Sequence, residues 1–63
     1  MKRRYLLNHL RQQDCQLLRE GGEHSILENP AHGRRTAIPR HREMNDFTAA
    51  GIYQQLGVPF PAI

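Results

Sequence analysis

A chain of 63 residues holds one domain at most, and folding at that size removes only about 60% of the surface the unfolded chain exposes, so its core is thin. The 38% hydrophobic content, with five glycines besides, excludes a disordered polymer, and the single cysteine, Cys15, excludes an internal disulfide framework. The formal net charge is +3, and all nine Lys and Arg residues fall within residues 1–42, where only four acids accompany them. Such a block favours an anionic partner, either nucleic acid or an acidic protein.

The start Met1-Lys2-Arg3-Arg4 has the charge of an export leader, but the apolar run Tyr5, Leu6, Leu7 is broken by Asn8 and His9. Neither an export signal nor a membrane span is expected, and Cys15 reads as a small buried hydrophobe in a reducing, cytoplasmic setting. Residues 2–13 lack Gly, Pro and β-branched side chains, and Leu6, Leu7 and Leu10 recur at helical spacing, which predicts a first helix. Arg4, Asn8 and Arg11 share its opposite face.

Cys15 to Glu20 reads as a strand, although Leu17 and Leu18 fall on opposite faces and blur the alternation. Gly21-Gly22 is expected to supply the positive φ angles of a tight hairpin, with Glu23 to Glu28 as the return strand. Asn29-Pro30-Ala31-His32-Gly33 is dense in turn formers, and Arg34 to Pro39 follows as a third strand ended by its proline. Asn45 or Thr48 caps a second helix whose apolar stripe is Ala49, Ile52, Tyr53 and Leu56. Gly57 ends that helix, Val58 is placed to pack on Tyr53, and residues 58–63 form a short tail of a single domain spanning 1–63.

The order α-β-β-β-α belongs to the α+β class. Both helix stripes are buried most economically on one face of a three-stranded antiparallel sheet, which leaves the other face open. His9 is then a half-exposed helix residue, His32 a loop residue, and His41 an exposed residue flanked by Arg40 and Arg42. No histidine pair at i, i+4 and no cysteine pair announces a metal site, so neither a metal nor a small-molecule cofactor is expected. Phe47, Tyr53 and Phe60 are assigned to the core or its edge rather than to a base-stacking platform.

The segment Leu18-Arg19-Glu20-Gly21-Gly22-Glu23-His24-Ser25-Ile26 resembles the hairpin of the HicA mRNA interferases of bacterial toxin–antitoxin systems. There a glycine turn precedes a polar residue and then the histidine that cleaves RNA, and His24 matches that histidine. The likeness extends back through Met1 to Cys15 and forward through Asn29-Pro30, Gly33-Arg34-Arg35, Ile38-Pro39 and His41 to Leu56-Gly57-Val58. Two positions depart from the pattern: Glu23 stands where a small residue is common, and Ser25 where a second histidine is frequent. The resemblance implies a double-stranded-RNA-binding-domain-like fold, ribosome-independent cleavage of an mRNA substrate, and inhibition by a cognate HicB antitoxin.

An imidazole titrates near neutral pH, so His24 can take a proton from an attacking 2′-hydroxyl or give one to the leaving 5′-oxygen of RNA. The charge gathering on the phosphate can be met without metal by backbone N–H groups of the glycine turn, Gly22 included, and by the guanidinium groups of Arg34, Arg35 and Arg40. Lys2, Arg3, Arg4, Arg11 and His41 complete the expected RNA contacts. Glu23, adjacent to His24 but aimed to the other side of an extended strand, is expected to be solvated. The alternatives are an inactive HicA-like protein, a non-catalytic RNA- or DNA-binding module, and a domain that docks an acidic protein.

Overall fold

The computed structural model describes residues 1–61; of the expected tail 58–63, residues 62 and 63 lie outside the described residues. The first helix, α1, runs Arg3–Gln12 and buries Leu6 and Leu10. It closes on Asp14, which takes a left-handed φ of 69°. That conformation lets Cys15 N–H donate to the Leu10 carbonyl at 3.0 Å and Asp14 N–H donate to the Arg11 carbonyl at 3.0 Å, the two bonds that satisfy a helix end when the chain reverses hand. Asp tolerates this conformation better than most side chains.

Three strands follow: β1 Gln16–Glu20, β2 His24–Asn29 and β3 Arg34–Pro39. They form one antiparallel sheet in the order β1-β2-β3. The second helix, α2, spans Asp46–Leu56. Asn45 is its cap, accepting from Thr48 N–H at 2.7 Å. Its end is closed by Gly57 at φ 71°, with Val58 N–H donating to the Tyr53 carbonyl at 3.0 Å. The architecture is the expected α-β-β-β-α, with both helices over one sheet face.

Burial alternates along β2, where Ser25, Leu27 and Asn29 are buried and His24 is exposed. Thr36 and Ile38 are the buried residues of β3. The helix-facing side therefore meets Leu6, Leu10, Ile52, Tyr53 and Leu56 in the core, while His24, Ile26 and Glu28 line the open side. Asn29 ties the two layers together: its buried amide donates to the Leu56 carbonyl at 2.8 Å and its Oδ1 accepts from Ala31 N–H at 3.2 Å. Tyr53 is buried, and burial foremost pushes its phenol up to about 12; its OH meets Nδ1 of His9 at 2.7 Å. His9 is thus a half-buried partner of the core.

Three local expectations are corrected. Gly21 and Gly22 do not adopt positive φ; the glycines that do are Gly33 and Gly57. Gly21 is instead required by close approach, since its N–H donates to the His24 carbonyl at 2.8 Å and a Cβ there would lie 3.0 Å from that same oxygen. Leu17 and Leu18 do not alternate simply: Leu17 pairs with Leu27 but Arg19 pairs with Ile26, so Leu18 is an extra residue in a β-bulge. Phe47, assigned to the core or its edge, is 90% exposed, because the first turn of α2 points it away from the sheet.

Candidate functional site

His24 is the first residue of β2 and stands at the mouth of the hairpin. The turn Gly21-Gly22-Glu23 carries no bulky apolar side chain, and strand alternation puts His24 opposite buried Ser25, so its ring faces solvent on the open side. Two shallow depressions meet at this residue. One is lined by Gly22, Glu23, His24, Pro39, Arg40 and His41. The other is lined by Arg19, Gly21, Gly22, Glu23, His24 and Ile26. Two imidazoles therefore border one cleft, the first from β2 and the second from the segment between β3 and α2.

Beneath the hairpin a connected polar chain fixes the geometry. Arg3, half-buried at the start of α1, donates through Nε to the Pro39 carbonyl at 3.0 Å and through Nη2 to Ser25 Oγ at 2.6 Å. Ser25 Oγ in turn donates to Glu20 Oε1, and Arg40 Nη2 lies 3.1 Å from the same carboxylate oxygen. The Ser25 hydrogen bond first, then the nearby Arg40 and Arg3 charges, hold the Glu20 carboxyl below the usual carboxylate range against some desolvation. Arg40 N–H also donates to the Glu23 carbonyl at 3.3 Å. The chain links α1, all three strands and the hairpin tip at the edge of the His24 cleft.

The residues expected to bind RNA separate into three groups. Gly22, Arg40 and His41 surround His24. Lys2 and Arg4 join Arg42 and the acid Glu43 around a neighbouring, mainly basic hollow, brought to the same end by the Arg3 N–H bond to the Arg42 carbonyl at 2.9 Å. The remaining residues lie elsewhere. Arg35 pairs with Glu28 across the strands at 3.0 Å, about 13 Å along β2 from His24 at the usual strand rise. Arg34 points to the helix side and donates to the Gln54 carbonyl at 3.3 Å. Arg11 is near the end of α1, about 12 Å along the axis from Arg3, and Arg3 itself is occupied inside the fold. Glu23 is exposed.

Arg19 also lies on this face, which the sequence pattern did not predict. The bulge at Leu18 puts it opposite Ile26 and so on the His24 face. Its trace in the sequence is the irregular Leu17-Leu18 pair, which breaks the strand's alternation just before it. The inward role of Ser25 was likewise not expected from spacing; its burial and its bonds to Arg3 and Glu20 show it.

Among the described residues no helix is long and apolar enough to cross a membrane, and no group of three His, Cys, Asp or Glu side chains is placed to hold a metal ion. Neither a curated protein nor a solved structure matches the chain. A family model described as the HicA toxin of bacterial toxin–antitoxin systems does match, over residues 3–58. That span takes in α1, the hairpin with His24, all three strands and α2 through Val58, and so the chain belongs to the HicA toxin family.

Proposed function

We propose that this chain is the toxin of a type II toxin–antitoxin pair, a metal- and ribosome-independent endoribonuclease that cleaves mRNA in the cytoplasm with His24 as the proton-transferring side chain. The observation that carries the reading is the exposed His24 ring at the hairpin mouth, in a cleft that His41 and Arg40 also line. Cleavage by 2′-hydroxyl attack needs one group to take the 2′ proton as the oxygen bonds to phosphorus, and one to deliver a proton as the bond from phosphorus to the 5′-oxygen breaks. His24 performs one transfer, and His41, which lines the same cleft, is assigned the other. Backbone N–H groups of the glycine turn and the Arg40 guanidinium offset the charge gathering on the phosphoryl oxygens.

The cognate partner in this reading is a HicB-type antitoxin that covers the open face around His24 and shuts off access. Induced expression of the chain alone should then arrest growth and deplete mRNA, whereas His24→Ala, with an unchanged circular-dichroism spectrum, should be harmless. Killing by the folded His24→Ala protein would remove His24 from the mechanism.

One observation favours a second reading, RNA binding without cleavage. Ser25, where relatives often carry a second histidine, is turned inward to Arg3 and Glu20 and offers no proton group to the cleft. Under that reading the purified chain retains RNA and yields no cleavage products.

A further inference from the structure

We propose that Arg19, on the open face of β1, supplies a second guanidinium, besides that of Arg40, to the scissile phosphate beside His24, so that RNA crosses the sheet from β1 over the hairpin mouth toward Arg40 and His41. The inference rests on the ribonuclease reading above. Four observations carry it. The register places Arg19 opposite Ile26, two positions along β2 from His24, and residues two apart on a strand share a face. Arg19 and His24 line one depression with Gly21 and Gly22, where the absence of side chains lets a phosphate approach the backbone. Arg19 is exposed, and among the described residues it has no ion-pair partner, whereas Arg35 is paired to Glu28 and Arg40 to Glu20. Its chain neighbour Glu20 pairs with Ser25 and lies on the opposite face, so it does not neutralise Arg19.

The bulge is the device that achieves this. Without the extra Leu18, regular alternation from Leu17 would turn Arg19 toward α1, into the groove that Arg3 and Leu7 line. With it, Arg19 joins the His24 face and Glu20 is released to clamp Ser25 and Arg40. Neighbouring strands are about 4.8 Å apart and residues rise about 3.3 Å along them, so Arg19, opposite Ile26, and His24, opposite Pro39, form with the β3 end where Arg40 begins a short diagonal row. A row of this kind suits successive phosphates of one extended RNA strand better than a path along the strands toward Arg35. Glu23 borders both depressions, and its carboxylate disfavours a phosphate seated on the hairpin tip itself.

The test uses the full chain and a short single-stranded RNA at two levels. In cleavage, Arg19→Gln should lower the rate by about 10²-fold, with Arg19→Lys recovering only part of it because a lysine lacks the bidentate fork. In binding, measured on the His24→Gln protein so that no RNA is consumed, adding Arg19→Gln should reduce the slope of log affinity against log salt by about 0.7, the value for one single-strand phosphate. Circular dichroism and the thermal midpoint confirm that each variant is folded. If Arg19→Gln cleaves at the parent rate while His24→Gln does not cleave, the Arg19 assignment is overturned and the His24 reading stands. If the parent does not cleave or His24→Gln cleaves normally, that reading fails, and an unchanged salt slope would overturn the role of Arg19 in phosphate binding independently.

Discussion

Glu20 accepts a hydrogen bond from Ser25 and faces the Arg40 guanidinium with one and the same oxygen, and its depressed titration gives a direct handle on that clamp. Because the folded-state value is lowered by the Ser25 bond and the arginine charges, the carboxylate stabilises the fold above its unfolded value, and this contribution disappears as pH falls through the folded one. The thermal midpoint of the parent should therefore decline below the ordinary carboxylate range more steeply than that of Glu20→Gln. Parallel profiles would show that Glu20 does not couple to folding. His24 was legible in the sequence because a histidine after a glycine turn is a recognisable local pattern. Arg19 and the inward Ser25 were not, because which face a strand residue occupies depends on register, and register is set by the partner strand.

Among the helices and strands, the closing turns matter most in so small a chain. Gly57 holds a φ of 71° with His32 Cδ2 only 3.1 Å from where a Cβ would sit, so Gly57→Ala should cost about 1–2 kcal/mol from the left-handed conformation alone, with crowding of His32 added. Asn45→Ala, which removes the cap on Thr48 N–H, should cost about 1 kcal/mol. Urea unfolding reads both as a lowered midpoint at constant slope; an unmoved midpoint would contradict the cap assignments. The helix stripes, the turn at residues 29–33 and the Asn45 and Gly57 ends were all readable, since spacing and turn chemistry are local. The end of α1 was not, because its left-handed residue is Asp14 rather than glycine. The exposure of Phe47 was readable but missed, since residues two apart on a helix fall on opposite sides and the stripe already began at Ala49.

Taken as a whole, the fold sorts one basic sequence block into two ends. Lys2, Arg4, Arg40, His41 and Arg42 gather at the His24 end, while Arg34 and Arg35 sit at the other, engaged with Gln54 and Glu28. Removing both Arg4 and Arg42 should lower the salt slope of RNA affinity by about 0.7 for each phosphate no longer neutralised, and removing Arg34 and Arg35 should barely change it; equal effects from the two pairs would place the RNA path elsewhere. The sequence disclosed the amount of charge but not this division, which arises because β3 starts at Arg34 and ends just before Arg40, at opposite ends of the sheet. An imidazole that moves protons at the hairpin mouth during RNA cleavage leaves its signature in the products, so the decisive experiment incubates the purified chain with RNA in excess chelator and identifies the new ends. Proton transfer by His24 predicts 2′,3′-cyclic phosphate and 5′-hydroxyl termini, formed about 10² to 10⁴ times more slowly by His24→Gln. Termini bearing 5′-phosphate, or cleavage at an equal rate by the folded variant, would contradict it.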